Sequence, residues 1–328
     1  MYQPTPPDLN IHPDHPWLAP LAGFSDLPFR LLCRHYGCSA AFTEMVSAKG
    51  LIYQTRNTLE LLKSCPEDSP LIVQLYGNSP QIIQQAVSIL MDQGYHYFDL
   101  NCGCSVKKVV KTGAGAALLK DTSLLVETAL AMIEKAGQGK AGIKIRLGWS
   151  NQSLVYLDLA RALERSGLGW ITLHPRTAVQ LFSGQADHDA LKKLKQNTRI
   201  PVIASGDLFT AADAADCVRR TGVDNIMFAR GALNNPFIFS QYKLLRMKKP
   251  IPPVGPDFLA KICCETVSFY RQHCSSPRAV LKMRTILPRM IKNVPGAKEL
   301  RKELIMGRNW DDIQRALSRI TSLKPNSP

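Results

Sequence analysis

Apolar positions in this 328-residue chain fall into short runs separated by stretches with a different rhythm. Eight runs end in turn or polar residues and read as strands. They are WLAPLAG (17–23), AAFTEM (40–45), PLIVQLYG (70–77), HYFDLNCG (96–103), AGIKIRLGW (141–149), GWITLHPRT (169–177), IPVIASGD (200–207) and DNIMFARG (224–231). Between them lie segments of helical period, such as SPQIIQQAVSILMDQG and SLVYLDLARALERSG. A repeated strand–helix alternation requires right-handed crossovers and a parallel sheet. Eight units in roughly 230 residues is the size of a (β/α)8 TIM barrel, with a doubly wound open sheet as the competing arrangement.

A barrel of this kind gathers its chemistry where the strands end. The first run ends in Pro20-Leu21-Ala22, and the third carries Gln74. The fourth offers Asn101 and Cys104, the fifth Lys144 and Arg146, and the sixth His174 and Arg176. The seventh ends in Ser205-Gly206-Asp207 and the eighth in Ala229-Arg230. Polar residues at nearly every strand end, inside otherwise apolar runs, form a ring rather than a scatter. Glycine at the last two ends lets backbone approach a ligand closely, and the loops after these strands commonly hold a phosphate in this fold. Lys144 and Arg146 alternate with Ile143 and Ile145, so one pair should face inward and the other outward. An inward lysine needs an anionic partner, because a buried unpaired ammonium is costly.

Charge changes the picture further. The formal net charge is +15, and residues 248–328 hold 16 lysines and arginines against 6 acidic residues, a net of +10. That leaves +5 for the whole of residues 1–247. So basic a tail points to a polyanionic partner, nucleic acid being the commonest. The reading divides the chain into an N-terminal arm (1–14), a catalytic barrel (15–247) and a basic helical domain (248–328). Arg278, Lys282 and Arg284 recur at spacings suited to one helical face of that domain, against the alternative of a solvated surface. No apolar run approaches the roughly 18–20 residues of a membrane span, and MYQPTPPDLNIHPDHP has no signal-peptide pattern. The expectation is a cytoplasmic protein.

Nine scattered cysteines favour reduced thiols over a disulfide framework. Cys102 and Cys104 flank a single glycine, which is poor evidence for zinc without a second pair at matching spacing. Cys102 alternates away from Asn101 and reads as packing. Cys104 reads as a thiol at the barrel mouth, with Lys107, Lys108 and Lys111 close in sequence to tune it. A thiol there is competent as a general acid toward carbon.

LAPLAGFSDLPFR, PLIVQLYG, FDLNCGCSVKKVVKTGAGAALLKD, GIKIRLGW, ITLHPRT, IPVIASGD and FARGALNNPFIF together resemble the tRNA-dihydrouridine synthases, in order and interval, over about residues 15–240. The resemblance implies an FMN enzyme that reduces the 5,6 bond of selected tRNA uridines with NADPH as electron donor. It places Pro20, Leu21, Ala22, Gln74 and Lys144 around the flavin ring. His174, the Ser205–Asp207 turn and Ala229–Arg230 fall at cofactor positions, the last two at the phosphate end. It also implies Cys104 as the general acid that protonates carbon 5, and Asn101 near the uracil of a flipped-out uridine. Arg146 and Arg176 stand as further substrate contacts, and the tail as a tRNA grip. The expected particle is a monomer, with no stable protein partner and no metal.

Four positions depart from the family pattern. Ser105 stands where proline usually follows the cysteine, and Ser205 where asparagine opens the Gly-Asp turn. Ala229 and Pro175 replace glycines. Two rival functions compete with this one: an FMN barrel dehydrogenase acting on a free pyrimidine, and a tRNA-binding module without catalysis. The basic tail argues against the first, and Cys104, Lys144, His174 and Arg230 against the second.

Overall fold

The computed structural model describes residues 8–274, 278–292, 294 and 296–322. All eight runs carry strands: β1 (Trp17–Leu18), β2 (Ala40–Phe42), β4 (Leu71–Tyr76), β5 (Tyr97–Cys102), β6 (Ala141–Arg146), β7 (Trp170–His174), β8 (Val202–Ala204) and β9 (Asn225–Phe228). A two-residue strand that the pattern does not announce, β3 (Val46–Ser47), adds to the top of β4. Every pairing is parallel, and β1 pairs with both β2 and β9 while β2 also pairs with β4. The sheet therefore closes on itself, and the open-sheet alternative falls.

The strands stop earlier than the apolar runs do. The first run is strand only at Trp17–Leu18, since Pro20 has no amide to give a ladder. The residues beyond each strand form the loops of the mouth, where the ring of polar residues sits.

Alternation sorts the side chains as a barrel demands. Ile143 and Ile145 join the layer between strands and helices, while Lys144 and Arg146 turn inward to the mouth. Below them the interior is filled by Trp17, Phe42, Ile72, Trp170, Ile203 and Met227. One inward position of β6 has to be glycine: a Cβ on Gly142 would lie 2.0 Å from the Trp170 ring. The helices start on conventional signals. Ser79 caps Pro80–Asp92 by accepting from the Ile82 amide, and Thr210 with Asp213 forms a capping box on Ala211–Thr221.

The described residues on both sides of the barrel pack against it. Leu9 and Ile11 pack against the interior cluster, so the described part of the arm plugs the barrel end opposite the mouth. Four α-helices among the described residues follow the barrel: Pro256–His273, Arg278–Met290, Ala297–Met306 and Trp310–Leu317. Their apolar faces, among them Leu259, Tyr270, Ile286, Leu300 and Ile313, are continuous with the outer barrel core. No helix among the described residues is long and apolar enough to cross a membrane.

Candidate active site

A cavity of about 500 Å³ opens at the C-terminal ends of the strands, within the range of small-molecule and cofactor sites. Its lining includes Pro20, Leu21, Ala22, Asn101, Cys104, Lys144, Arg146, His174, Ser205, Gly206, Asp207, Ala229 and Arg230. Strand ends from the first to the last of the barrel thus meet in one pocket.

Beneath one wall runs a chain of hydrogen bonds that begins in the barrel interior. Gly142 leaves room for the Trp170 indole, whose Nε1 donates to Asp99 Oδ1 at 3.1 Å. Asp99 Oδ2 accepts from Gln74 Nε2 at 2.7 Å, and Gln74 Oε1 accepts from Asn101 Nδ2 at 2.8 Å. Asn101 Oδ1 then accepts from the amides of Gly103 (3.3 Å) and Cys104 (3.0 Å). The carboxyl at the base takes hydrogen bonds from both neighbours, so each amide above it has one orientation. Burial pushes Asp99 up to about 7, against the hydrogen bonds from Gln74 and Trp170 and the charge of Lys144.

This relay delivers Cys104 to the mouth. Burial raises its thiol above the ordinary value, although the Val106 amide, Arg146 and Lys144 all pull the other way. The thiol therefore keeps its proton at neutral pH, as a general acid must. The lysines at 107, 108 and 111 sit exposed beyond the pocket, and the cations that act on the sulfur are Arg146 and Lys144. Arg146 also frames the site: Nε donates to the Gly103 carbonyl at 2.9 Å and Nη1 to the Thr177 and Leu181 carbonyls, each at 2.8 Å. Ser105 Oγ is buried with no partner among the described residues.

The opposite wall is built on arginine. Arg176, 2% exposed, pairs with both Asp207 oxygens at 2.9 and 2.6 Å and donates to the Ser183 and Gly184 carbonyls. Arg230 reaches Asp207 Oδ1 at 3.0 Å and lies between the Phe182 and Phe209 rings, 4.8 and 4.7 Å from their centres. Burial would raise the Asp207 carboxyl, but hydrogen bonds from Arg176 and the Ala186 amide, with both arginine charges, hold it below the usual range. Gly206 has φ +134°, and a Cβ there would press to 2.8 Å of the His174 ring, so the turn must be glycine. Ala229, at φ −122°, needs no glycine.

Two groups in the middle answer to this concentration of positive charge. Burial, followed by Lys144, Arg146, Arg176 and Arg230, drives His174 down to about 2, so its ring is neutral. Arg176 Nη1 is 3.3 Å from His174 Nε2. Arginine has only donors, so Nε2 accepts and the ring proton sits on Nδ1. Burial also lowers Lys144 to about 8, with Asp99 opposing and Arg146 assisting. Among the described residues Lys144 has neither a hydrogen bond nor an ion pair. The anionic partner expected of an inward lysine is thus not a protein group in contact with it.

Two expected contacts are set back from the cavity. Gln74 is wholly buried under the floor, and Arg176 is consumed by Asp207 and the 183–184 carbonyls. In the tail, Lys282 Nζ donates to the Gly23 carbonyl at 2.7 Å and pairs with Asp26 at 3.0 Å, so it faces the barrel. Arg284 is half-buried on the same helix, and the Arg278 side chain falls outside the described residues. Sequence reasoning passed over Asp99, although its place two residues before Asn101 in one strand puts both on the inner face. Phe182 and Glu44 gave no periodic signal.

The sequence model of the family described as Dihydrouridine synthase (Dus) matches residues 17–322. The chain is 35% identical over 268 residues to a protein of Rickettsia bellii named "Probable tRNA-dihydrouridine synthase", covering 80% of this chain and 82% of that one. It is 31% identical to tRNA-dihydrouridine synthase B of Pseudomonas aeruginosa, over 87% and 86% of the two chains. A solved histamine dehydrogenase from Rhizobium sp. 4-9 shares the fold over 78% of this chain and 49% of its own, with a TM-score of 0.53 and 12% identity. With its barrel closed, its strand ends converging on Cys104 and the match running through both barrel and tail, the chain belongs to the dihydrouridine synthase family.

Proposed function

We propose that the protein is a flavin-dependent tRNA-dihydrouridine synthase that binds FMN at the barrel mouth and takes its electrons from NADPH. The observation that carries the reading is the half-buried Lys144 at the barrel mouth. It lines the pocket among Arg146, Arg230 and a neutral His174, with no counter-charge in contact. A ring that gains negative charge on reduction and carries a phosphate tail fits a pocket built this way: Lys144 would stand beside the ring, and the Gly206 turn and Arg230 would hold the phosphate. Pro20, Leu21 and Ala22, which line one side of the cavity, would hold the ring. Ser205, Asp207 and Ala229 shape the phosphate end, and His174 supplies a neutral donor from Nδ1.

When bound, the flavin supplies hydride to carbon 6 of a uridine. The chain does the rest. Asn101 fixes the loop that carries Cys104 and borders the space for the base, and Cys104 delivers its proton to carbon 5. Arg146 holds that loop from below through Gly103. A base stacked in folded tRNA cannot enter a recessed pocket, so the uridine must be flipped out to reach it. Basic residues of the helical tail supply phosphate contacts, Arg284 and Arg278 among them, and binding should weaken steeply with salt.

The test is spectroscopic. The purified protein should carry flavin absorbance that NADPH bleaches anaerobically and that tRNA lacking dihydrouridine restores. Recovery with free uracil or orotate as fast as with tRNA would move the substrate to small pyrimidines. A protein that neither holds nor accepts FMN would overturn the reading.

A further inference from the structure

The loop that leaves β1 forms one wall of the pocket through Pro20, Leu21 and Ala22. It turns at Gly23, where φ is +83°. Both sides of this glycine are held by side chains from distant elements. Its amide donates to Glu44 Oε2, just beyond β2, at 2.5 Å, and its carbonyl accepts from Lys282 Nζ at 2.7 Å. Lys282 also pairs with Asp26 Oδ2 at 3.0 Å, and Asp26 Oδ1 accepts from the Tyr270 hydroxyl at 2.6 Å. One residue along, the Arg289 guanidinium lies 5.0 Å from the centre of the Phe24 ring. Three side chains of the helical tail thus converge on Gly23, Phe24 and Asp26, directly after the pocket-lining residues.

We propose that Lys282 is a positioning residue for the cofactor wall, so that the basic tail completes the flavin site as well as meeting nucleic acid. The inference rests on the reading of this pocket as a flavin site. Lys282 is 29% exposed and both of its polar contacts are on the barrel. A lysine donating to one carbonyl and one carboxylate is spent on the loop, not offered to phosphate. Gly23 has little conformational restraint of its own, so the peptide is fixed by Glu44 on one side and Lys282 on the other. Removing the ammonium releases the carbonyl side, and the lining residues before it are then held by Glu44 at the Gly23 amide and by the Ser25 hydroxyl at the Leu21 amide, without the brace from the tail.

The experiment compares wild type, Lys282→Met, Lys282→Arg and, as a control for lost tail charge, Lys261→Met, all as full-length protein. FMN dissociation is read from released-flavin fluorescence, tRNA binding from anisotropy, and loop order from hydrogen exchange of the peptide covering 19–26. Loss of a charged hydrogen bond should weaken FMN about tenfold in Lys282→Met. Exchange in 19–26 should speed up, while tRNA affinity should move less than about twofold, the size of a single screened surface charge. Lys282→Arg should restore FMN binding, and Lys261→Met should leave it unchanged. Unchanged FMN affinity in Lys282→Met overturns the proposal, whether or not tRNA affinity falls. If wild type itself takes no FMN, the functional reading fails separately, and exchange alone decides whether the clamp exists. Should Lys282→Met not fold, Lys282→Gln is read in the same way.

Discussion

The two walls of the pocket solve the same problem, placing a reactive group in a crowded polar mouth, by opposite means. The wall above β4 and β5 is nearer neutral: Asp99, Gln74, Asn101 and Cys104 are joined by single hydrogen bonds, and burial disfavours the anions of both acidic members, pushing Asp99 up to about 7 and raising the Cys104 thiol. The wall above β7 to β9 is ionic: Arg176, Asp207 and Arg230 lock one another, and the carboxylate is held charged. A proton donor needs a medium that disfavours its anion, whereas an anchor for an anion needs fixed cations that never titrate. Lys144 and His174 stand between the two walls. Each is pushed toward its neutral form by burial and by the arginines.

The strongest break in this comparison is the thiol itself. Cys104→Ala should lower the rate of dihydrouridine formation about 10²–10⁴-fold, the range of a lost general acid. Flavin reduction by NADPH should persist, so rapid-mixing measurement of the two half-reactions separates them. The pH profile sharpens the same point. The acid must be protonated to act, and its pKa lies above the ordinary thiol value. The tRNA half-reaction should therefore hold level through neutral pH and fall only on the alkaline side, beyond the roughly 8.5 of a free cysteine. A decline already at pH 7 would contradict the placement of Cys104 in a burial-dominated wall.

On the ionic wall the next largest effect is on stability. Asp207→Ala leaves Arg176 buried and facing no carboxylate, at a cost of about 3 kcal/mol, the lower end for broken buried pairs because the Ser183 and Gly184 carbonyls remain. Denaturant titration measures it. The sign with pH follows from the depressed carboxyl. Its contribution is full above the unfolded value of about 3.9 and drains away as pH falls below that, through the lower folded value. Wild type should thus lose stability in acid more steeply than Asp207→Ala.

The neutral wall was the less legible of the two in the sequence. Eight strand runs and the ring of polar strand ends could be read directly, because a barrel repeats a short pattern and puts its function at one edge. Arg230 and Gly206 could be read as anion chemistry for the same reason. The partner of Arg176 could not: Asp207 is 31 residues away, and only the closed crossover brings them together. Arg176 therefore looked like a substrate contact, and Lys282 like a phosphate contact, since a basic residue announces charge but not its partner. Asp99 was hidden differently. It lies inside an apolar run, and its role depends on Trp170, which depends on Gly142 being small. β3 escaped because two residues make no period. The arm's plugging of the barrel rests on Leu9 and Ile11 among prolines, a pattern without rhythm.

Smaller effects test how each wall reaches the cofactor. Arg230→Met removes a guanidinium whose charged hydrogen bonds are worth about 1.5–3 kcal/mol, so FMN should dissociate about ten- to a hundredfold more readily. Asp207 keeps Arg176, so the fold should melt near the wild-type temperature, which distinguishes this variant from Asp207→Ala.

Asp99→Asn should produce the mildest change and the most informative one. The asparagine can accept from either Trp170 or Gln74 through its single oxygen but must present its amide to the other. One hydrogen bond at the base is then lost, a cost of about 1 kcal/mol. If Gln74 turns to accept from the new amide, its own nitrogen faces Asn101, and Asn101 can no longer both donate downward and accept from the Cys104 amide. The register error passes upward through three side chains without removing any group that touches the pocket. Dihydrouridine formation should fall about fivefold, the equivalent of that one lost bond, with FMN affinity and tail-dependent tRNA binding unchanged. An equal fall in flavin reduction by NADPH would mean that Asp99 acts through Lys144 and the ring rather than through the thiol. That would join the two walls electrically instead of setting them apart.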